Sequence, residues 1–182
     1  MLMISFLSKN YRGADHQNFV TTMFYYVQMH HPTLLVILEP KTSGDIVPDV
    51  IQKLTSSDSF VVDTTGRAGG IWVLCNNQKI QLNVFRHSTQ AAHFWISWKG
   101  EDQWFVLFVY GDPGRYDWFA LWKNLIHLQH DFELSWLVMG DFNASISAMD
   151  TQRGAEFSIP RAKDFKNCLD MCYNFDLGFM GP

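Results

Sequence analysis

The stretch Leu134-Ser135-Trp136-Leu137-Val138-Met139-Gly140-Asp141-Phe142-Asn143 decides how this chain is read. Its first part is an apolar run of strand length. The run closes on Gly140-Asp141-Phe142-Asn143, which sets a carboxylate and an amide at the mouth of the strand. Two residues apart in extended backbone, Asp141 and Asn143 are expected to share one face. That pair suits holding a water and a phosphate oxygen beside a divalent metal. An Asp-x-Asn at a strand end also makes an ordinary turn whose side chains bond their own backbone. The rest of the chain weighs between the two.

Working outward, Thr33-Leu34-Leu35-Val36-Ile37-Leu38 is a second continuous aliphatic run, typical of a strand covered on both faces, and it stops at Glu39-Pro40. Residues 1–7 read as a first strand. Phe19, Val20, Met23, Phe24 and Val27 fall at helical spacing within 16–28. A short helix is expected over 46–54. Strands follow at 59–63, 70–75, 79–86, 92–98 and 103–109, separated by Gly66, Gly69-Gly70, Asn76-Asn77 and 99–102. Helices near 115–130 and 161–174 flank the 134–139 strand. This order predicts a layered α/β protein with a mixed, largely antiparallel sheet.

With 182 residues, 47% apolar and 15% aromatic, the chain is long and apolar enough for one globular domain. No apolar stretch approaches the roughly 20 residues of a membrane helix, so no membrane role is expected. Three cysteines (75, 168 and 172) without a CxxC pattern fit reduced thiols in an intracellular protein. The net charge of −4 leaves any phosphate contact to a local patch, for which Arg153, Arg161, Lys163 and Lys166 are the candidates. A solvated helix face explains the same charges.

Four strand ends carry polar groups: Asn10, Glu39, Tyr110, and Asp141 with Asn143. Sheets gather strand ends into one rim, where ligands bind. The landmarks Asn10-Tyr11-Arg12-Gly13-Ala14, Leu38-Glu39-Pro40, Gly69-Gly70-Ile71-Trp72, Tyr110-Gly111-Asp112-Pro113, Leu121-Trp122, Gly140-Asp141-Phe142-Asn143, Arg153-Gly154 and Asp176-Leu177-Gly178-Phe179 now stand in order along the chain. In that order and spacing the sequence resembles the endonuclease/exonuclease/phosphatase superfamily, specifically the endonuclease domain of plant LINE-type (non-LTR) retrotransposons.

The resemblance implies a four-layer α/β sandwich and metal-assisted phosphodiester hydrolysis of DNA. It implies Mg²⁺, with Mn²⁺ as an alternative, held by Glu39 with Asn10 beside it. Asp141 would orient or deprotonate the attacking water, while Asn143 and Tyr110 would position the phosphate; Arg153 and Arg161 are the substrate-binding candidates. It places such a protein in the nucleus and calls for no obligate protein partner. Lys9 and Tyr11 depart from the family, which has Trp and Cys there. Family members finish on a Ser-Asp-His motif that this sequence does not reach before Pro182. The expectation is therefore a domain of residues 1–182 incomplete at its C-terminus, a weak nuclease and a marginal fold. His127 and His130, a helical i,i+3 pair, and His93, within a strand, do not replace that histidine. A non-catalytic remnant and a phosphatase of small phosphoesters remain open beside the nuclease.

Overall fold

The computed structural model describes residues 4–11, 18–42, 44–54, 57–64, 69–99, 103–111, 117–132, 135–148 and 157–178. The described elements run β1 (Phe6–Asn10), α1 (Phe19–His30), β2 (Leu34–Leu38), α2 (Ile46–Lys53), β3 (Asp58–Val62), β4 (Ile71–Cys75), β5 (Ile80–His87), β6 (Ala91–Trp98), β7 (Gln103–Tyr110), α3 (Asp117–Phe132), β8 (Trp136–Asp141) and α4 (Ile159–Met171). The chain divides into two compact units. One comprises residues 1–112 with 135–141, the other 113–134 with 142–182.

The first unit is built on two four-stranded mixed sheets, in the orders β1-β2-β4-β3 and β5-β6-β7-β8. β1 pairs with β2 in parallel, and β7 with β8 likewise; the other pairings are antiparallel. Alternation along the strands sends Leu34, Val36, Leu38, Ile71 and Val73 of the first sheet against Phe94, Ile96, Val106 and Phe108 of the second, forming one core between the sheets. The other face of the first sheet is covered by α1 and α2. There Leu35, Ile37, Trp72 and Leu74 meet Phe19, Met23 and Val27 at i, i+4, i+8 on α1, and Val47 and Val50 on α2. This double coverage is why β2 and β4 are buried at every residue and read as unbroken apolar runs. Each side chain so buried contributes about 1.5–3 kcal/mol. α1 stops at His31, whose left-handed φ of 44° lets its N–H reach the Val27 carbonyl, and Pro32 follows.

In the second unit, α3 and α4 carry an aromatic cluster. Trp122 stacks on Phe165 with centroids 4.9 Å apart, and Phe142 lies 5.2 Å from Phe165. The layered α/β sandwich with mixed sheets expected from the sequence is the architecture found.

Differences from the expected order bear on the site. Among the described residues β1 runs Phe6–Asn10, past the expected end at residue 7, so Asn10 is the last residue of the strand and not a residue after it. The strands from 59 to 109 divide between the two sheets. β3 and β4 complete the first sheet, and β5 to β7 open the second. β8 runs on to Asp141 and stops there, and Asn143 takes a left-handed φ of 46°. Strand alternation therefore stops at Asp141 and does not extend to Asn143.

Candidate active site

The site grows from strand direction. β1 and β2 run parallel with Asn10 opposite Leu38, and β7 and β8 run parallel with Tyr110 opposite Asp141. β1 and β8 are the edge strands of their sheets. They meet across the sandwich at their C-terminal ends, where Asn10 Nδ2 donates to Asp141 Oδ2. Parity completes the arrangement. Asn10 shares its face with Phe6, Tyr110 with Phe108, and Asp141 with Leu137 and Met139, and all these apolar partners belong to the inter-sheet core. The polar ends thus close one mouth of that core.

Glu39 directly follows Leu38, next to Asn10 in the adjacent strand, and is only 8% exposed. Its backbone is left-handed, with φ of 55°, a strained state for a bulky residue that the surroundings must enforce. The Glu39 N–H donates to the Gly70 carbonyl at 3.1 Å. A Cβ at Gly70 would sit 3.0 Å from Pro40 Cγ and 2.9 Å from Thr64 Cγ2, so only glycine admits the close approach. Neighbouring Gly69 lies beside the Tyr110 ring. The Gly69-Gly70 pair therefore ties the Glu39 turn to Tyr110. Gly140 does the same for Asp141: its φ is 145°, and a Cβ there would lie 1.9 Å from the Val109 carbonyl oxygen.

Because the group donating to Asp141 must be the amide nitrogen, the other terminal atom of Asn10 is its oxygen. Asn10 Oδ1 is buried and has no hydrogen-bond partner among the described residues. A buried amide oxygen of this kind, in the strand beside the Glu39 carboxylate, fits a hard cation that takes oxygen ligands. The oxygen-bearing groups at this mouth are the Glu39 and Asp141 carboxylates and the Asn10 amide. No group of three or more His, Cys, Asp or Glu gathers for a metal among the described residues.

The sequence matches no protein-family model and no curated protein. Solved structures do match. The AP endonuclease LMAP of Leishmania major is 12% identical over 93% of this chain and 66% of that one, with a TM-score of 0.69. NExo, a 3′ phosphatase from Neisseria bound to a product DNA hairpin, is 15% identical over 93% and 71%, with a TM-score of 0.64. The endonuclease domain of TRAS1, a telomere-specific non-LTR retrotransposon, is 11% identical over 93% and 71%, at 0.63. All three are endonuclease/exonuclease/phosphatase proteins.

This chain has the endonuclease/exonuclease/phosphatase fold.

At identities this low the likeness is one of backbone, and the side chains within that fold have to be taken one by one. Asn10, Glu39, Tyr110 and Asp141 lie at one rim. Tyr110 is 2% exposed, its ring in the core. Asn143 belongs to the second unit. Arg161, on α4, lays its guanidinium over the Trp118 ring at 5.7 Å, while its Nε and Nη2 are buried without partners among the described residues. It is thus packed on an aromatic ring, unlike exposed Lys163 and Lys166. Arg153 lies outside the described residues.

The two family departures find structural uses. Lys9 points to the helix side of β1, with its ammonium 5.4 Å from the Tyr26 ring centre, away from the face that carries Asn10. Tyr11 packs edge-on against Phe19 at 4.8 Å, fastening α1 to the rim. His93 is buried in β6, bonded through Nδ1 to the Arg86 carbonyl at 3.0 Å. Sequence reasoning passed over Gly140 as a positioning residue and gave no role to Lys41, whose Nζ is 3.0 Å from Glu39 Oε1. Gly140 could have been flagged by the tight approach a glycine beside a strand end implies; Lys41 offers no such signal.

Proposed function

We propose that this chain is a Mg²⁺-dependent DNA endonuclease domain of the retroelement type, hydrolysing a phosphodiester at the rim where Asn10 meets Asp141. The observation that carries the reading is the double engagement of Asn10. One end holds the Asp141 carboxylate, and the other presents a buried, unpartnered oxygen beside Glu39. Glu39 and Asn10 Oδ1 are the oxygens that would hold the cation, with Mn²⁺ as a substitute for Mg²⁺. When bound, such an ion supplies charge stabilisation for the phosphate oxygens.

The protein side chains do the remaining work. Asp141, held in orientation by the Asn10 amide, accepts a hydrogen bond from the attacking water and takes its proton as the water oxygen bonds to phosphorus and the P–O3′ bond breaks, the 3′ oxygen leaving as a hydroxyl with a proton from solvent. Asn143 and the Tyr110 hydroxyl would position the phosphate, and Arg153 would neutralise charge on the DNA backbone without reading bases, whereas the Arg161 guanidinium is taken up by the Trp118 ring. The fold likeness to proteins named as AP and retrotransposon endonucleases supports a nucleic-acid phosphodiester as substrate.

The test is incision of an end-labelled duplex in Mg²⁺, with an EDTA control, followed by extension of the nick with a polymerase. Extendable 3′-hydroxyl ends that appear only with Mg²⁺ support the reading. No incision, or ends that the polymerase cannot extend, would move the chain to the non-catalytic or phosphatase alternative.

A further inference from the structure

Lys41 holds an unusual place at the rim. Its ammonium is 3.0 Å from the Glu39 carboxylate, whose side chain is 11% exposed against 36% for the lysine. The pair lies two residues apart, and a distorted turn brings it together. Glu39 and Lys41 both have left-handed backbones, with φ of 55° and 52°, on either side of Pro40. The turn is braced at three points. The Glu39 N–H bonds the Gly70 carbonyl, the Pro40 ring packs where Gly70 has no side chain, and buried Thr42 donates its Oγ1 hydroxyl to the Pro40 carbonyl at 3.1 Å. Two strained non-glycine residues persist only where surrounding contacts over-determine them. Here the result of that strain is an ammonium set on a nearly buried carboxylate.

We infer that Lys41 is the resident counter-cation of Glu39, and that a divalent ion must displace it to bind. The inference rests on reading Glu39 as a cation ligand. A nearly buried carboxylate demands a positive partner. Lys41 supplies one, and a compact ammonium on a flexible, partly exposed stem can swing into solvent when a stronger cation arrives. While it stays, its charge opposes the incoming ion at close range. Lys41 therefore lowers cation affinity while protecting the site when no cation is bound, and it sets the concentration at which the site fills.

Calorimetric titration of the full chain with Mg²⁺, at constant ionic strength, tests this on wild type, Lys41→Gln, Lys41→Arg and Glu39→Gln. Lys41→Gln is expected to bind Mg²⁺ roughly tenfold more tightly, and saturating Mg²⁺ is expected to raise its melting temperature further than that of wild type. Lys41→Arg should stay near wild type. Should the glutamine variant fail to fold, Lys41→Asn, which tolerates a left-handed backbone, carries the same expectation. Affinity in a folded neutral variant that equals or falls below wild type would overturn the inference alone, leaving Lys41 as a brace for the turn. Mg²⁺ binding that survives Glu39→Gln unchanged, or is absent from wild type and Lys41→Gln alike, would remove the reading of Glu39 and the inference with it.

Discussion

At the scale of single residues, the proposed chemistry gives different tasks to side chains of similar size. Glu39 brings charge and Asn143 brings a neutral amide, so their substitutions should separate binding from positioning. Glu39→Gln keeps shape and removes charge; it is expected to weaken Mg²⁺ at least about tenfold, or roughly 1.4 kcal/mol, by calorimetry. Asn143→Ala is expected to leave Mg²⁺ affinity unchanged and to lower the rate of incision. Gly140 tests the scaffold under Asp141. A methyl there would collide with the Val109 carbonyl in a backbone region closed to other residues, so Gly140→Ala should cost about 3 kcal/mol in denaturant unfolding. These residues were readable in the sequence to different degrees. Glu39, Tyr110 and Asp141 close apolar runs, and that pattern marks them, while Asn10 stands a few residues past the first run. Lys41 could not be found that way, because its partner is set by two left-handed residues and sequence pattern does not reveal backbone strain.

At the scale of elements, β2 and β4 were legible because burial on both faces leaves only one kind of residue in them. β1 was displaced in the sequence reading for the opposite reason. Ser8, Lys9 and Asn10 pair with Val36, Ile37 and Leu38 through backbone alone, which needs no apolar side chain. Between β4 and β5, Asn76-Asn77 signals a turn but not which way the chain leaves it. Here the Asn76 N–H goes to the Thr33 carbonyl, and the chain changes sheets. β6 carries a test of its own. Burial pushes the His93 pKa down from 6.5 to about 4, with the charges of Arg86 and His87 adding to it. The unfolded chain then takes up the proton first. The stability contributed by neutral His93 is complete above about pH 6.5 and is lost as the pH falls toward 4, up to about 3 kcal/mol. Urea unfolding of His93→Gln should show a flatter dependence across that window than wild type.

At the scale of the whole molecule, two mixed sheets stack so that the C-terminal ends of four strands from both meet at one mouth. Widely separated polar residues converge there without sequence proximity, while the likeness to solved structures at 11–15% identity is one of fold. No helix among the described residues is long and apolar enough to cross a membrane. The proposed activity places phosphodiester cleavage at the rim of Asn10, Glu39 and Asp141. Nicking of supercoiled plasmid in Mg²⁺ tests it most directly, with wild type beside Asp141→Ala and Asn10→Ala and an EDTA control. The account predicts slow nicking by wild type that EDTA abolishes and that falls by about 10²-fold or more in Asp141→Ala. Nicking that survives EDTA, or that Asp141→Ala performs as fast as wild type, would contradict it.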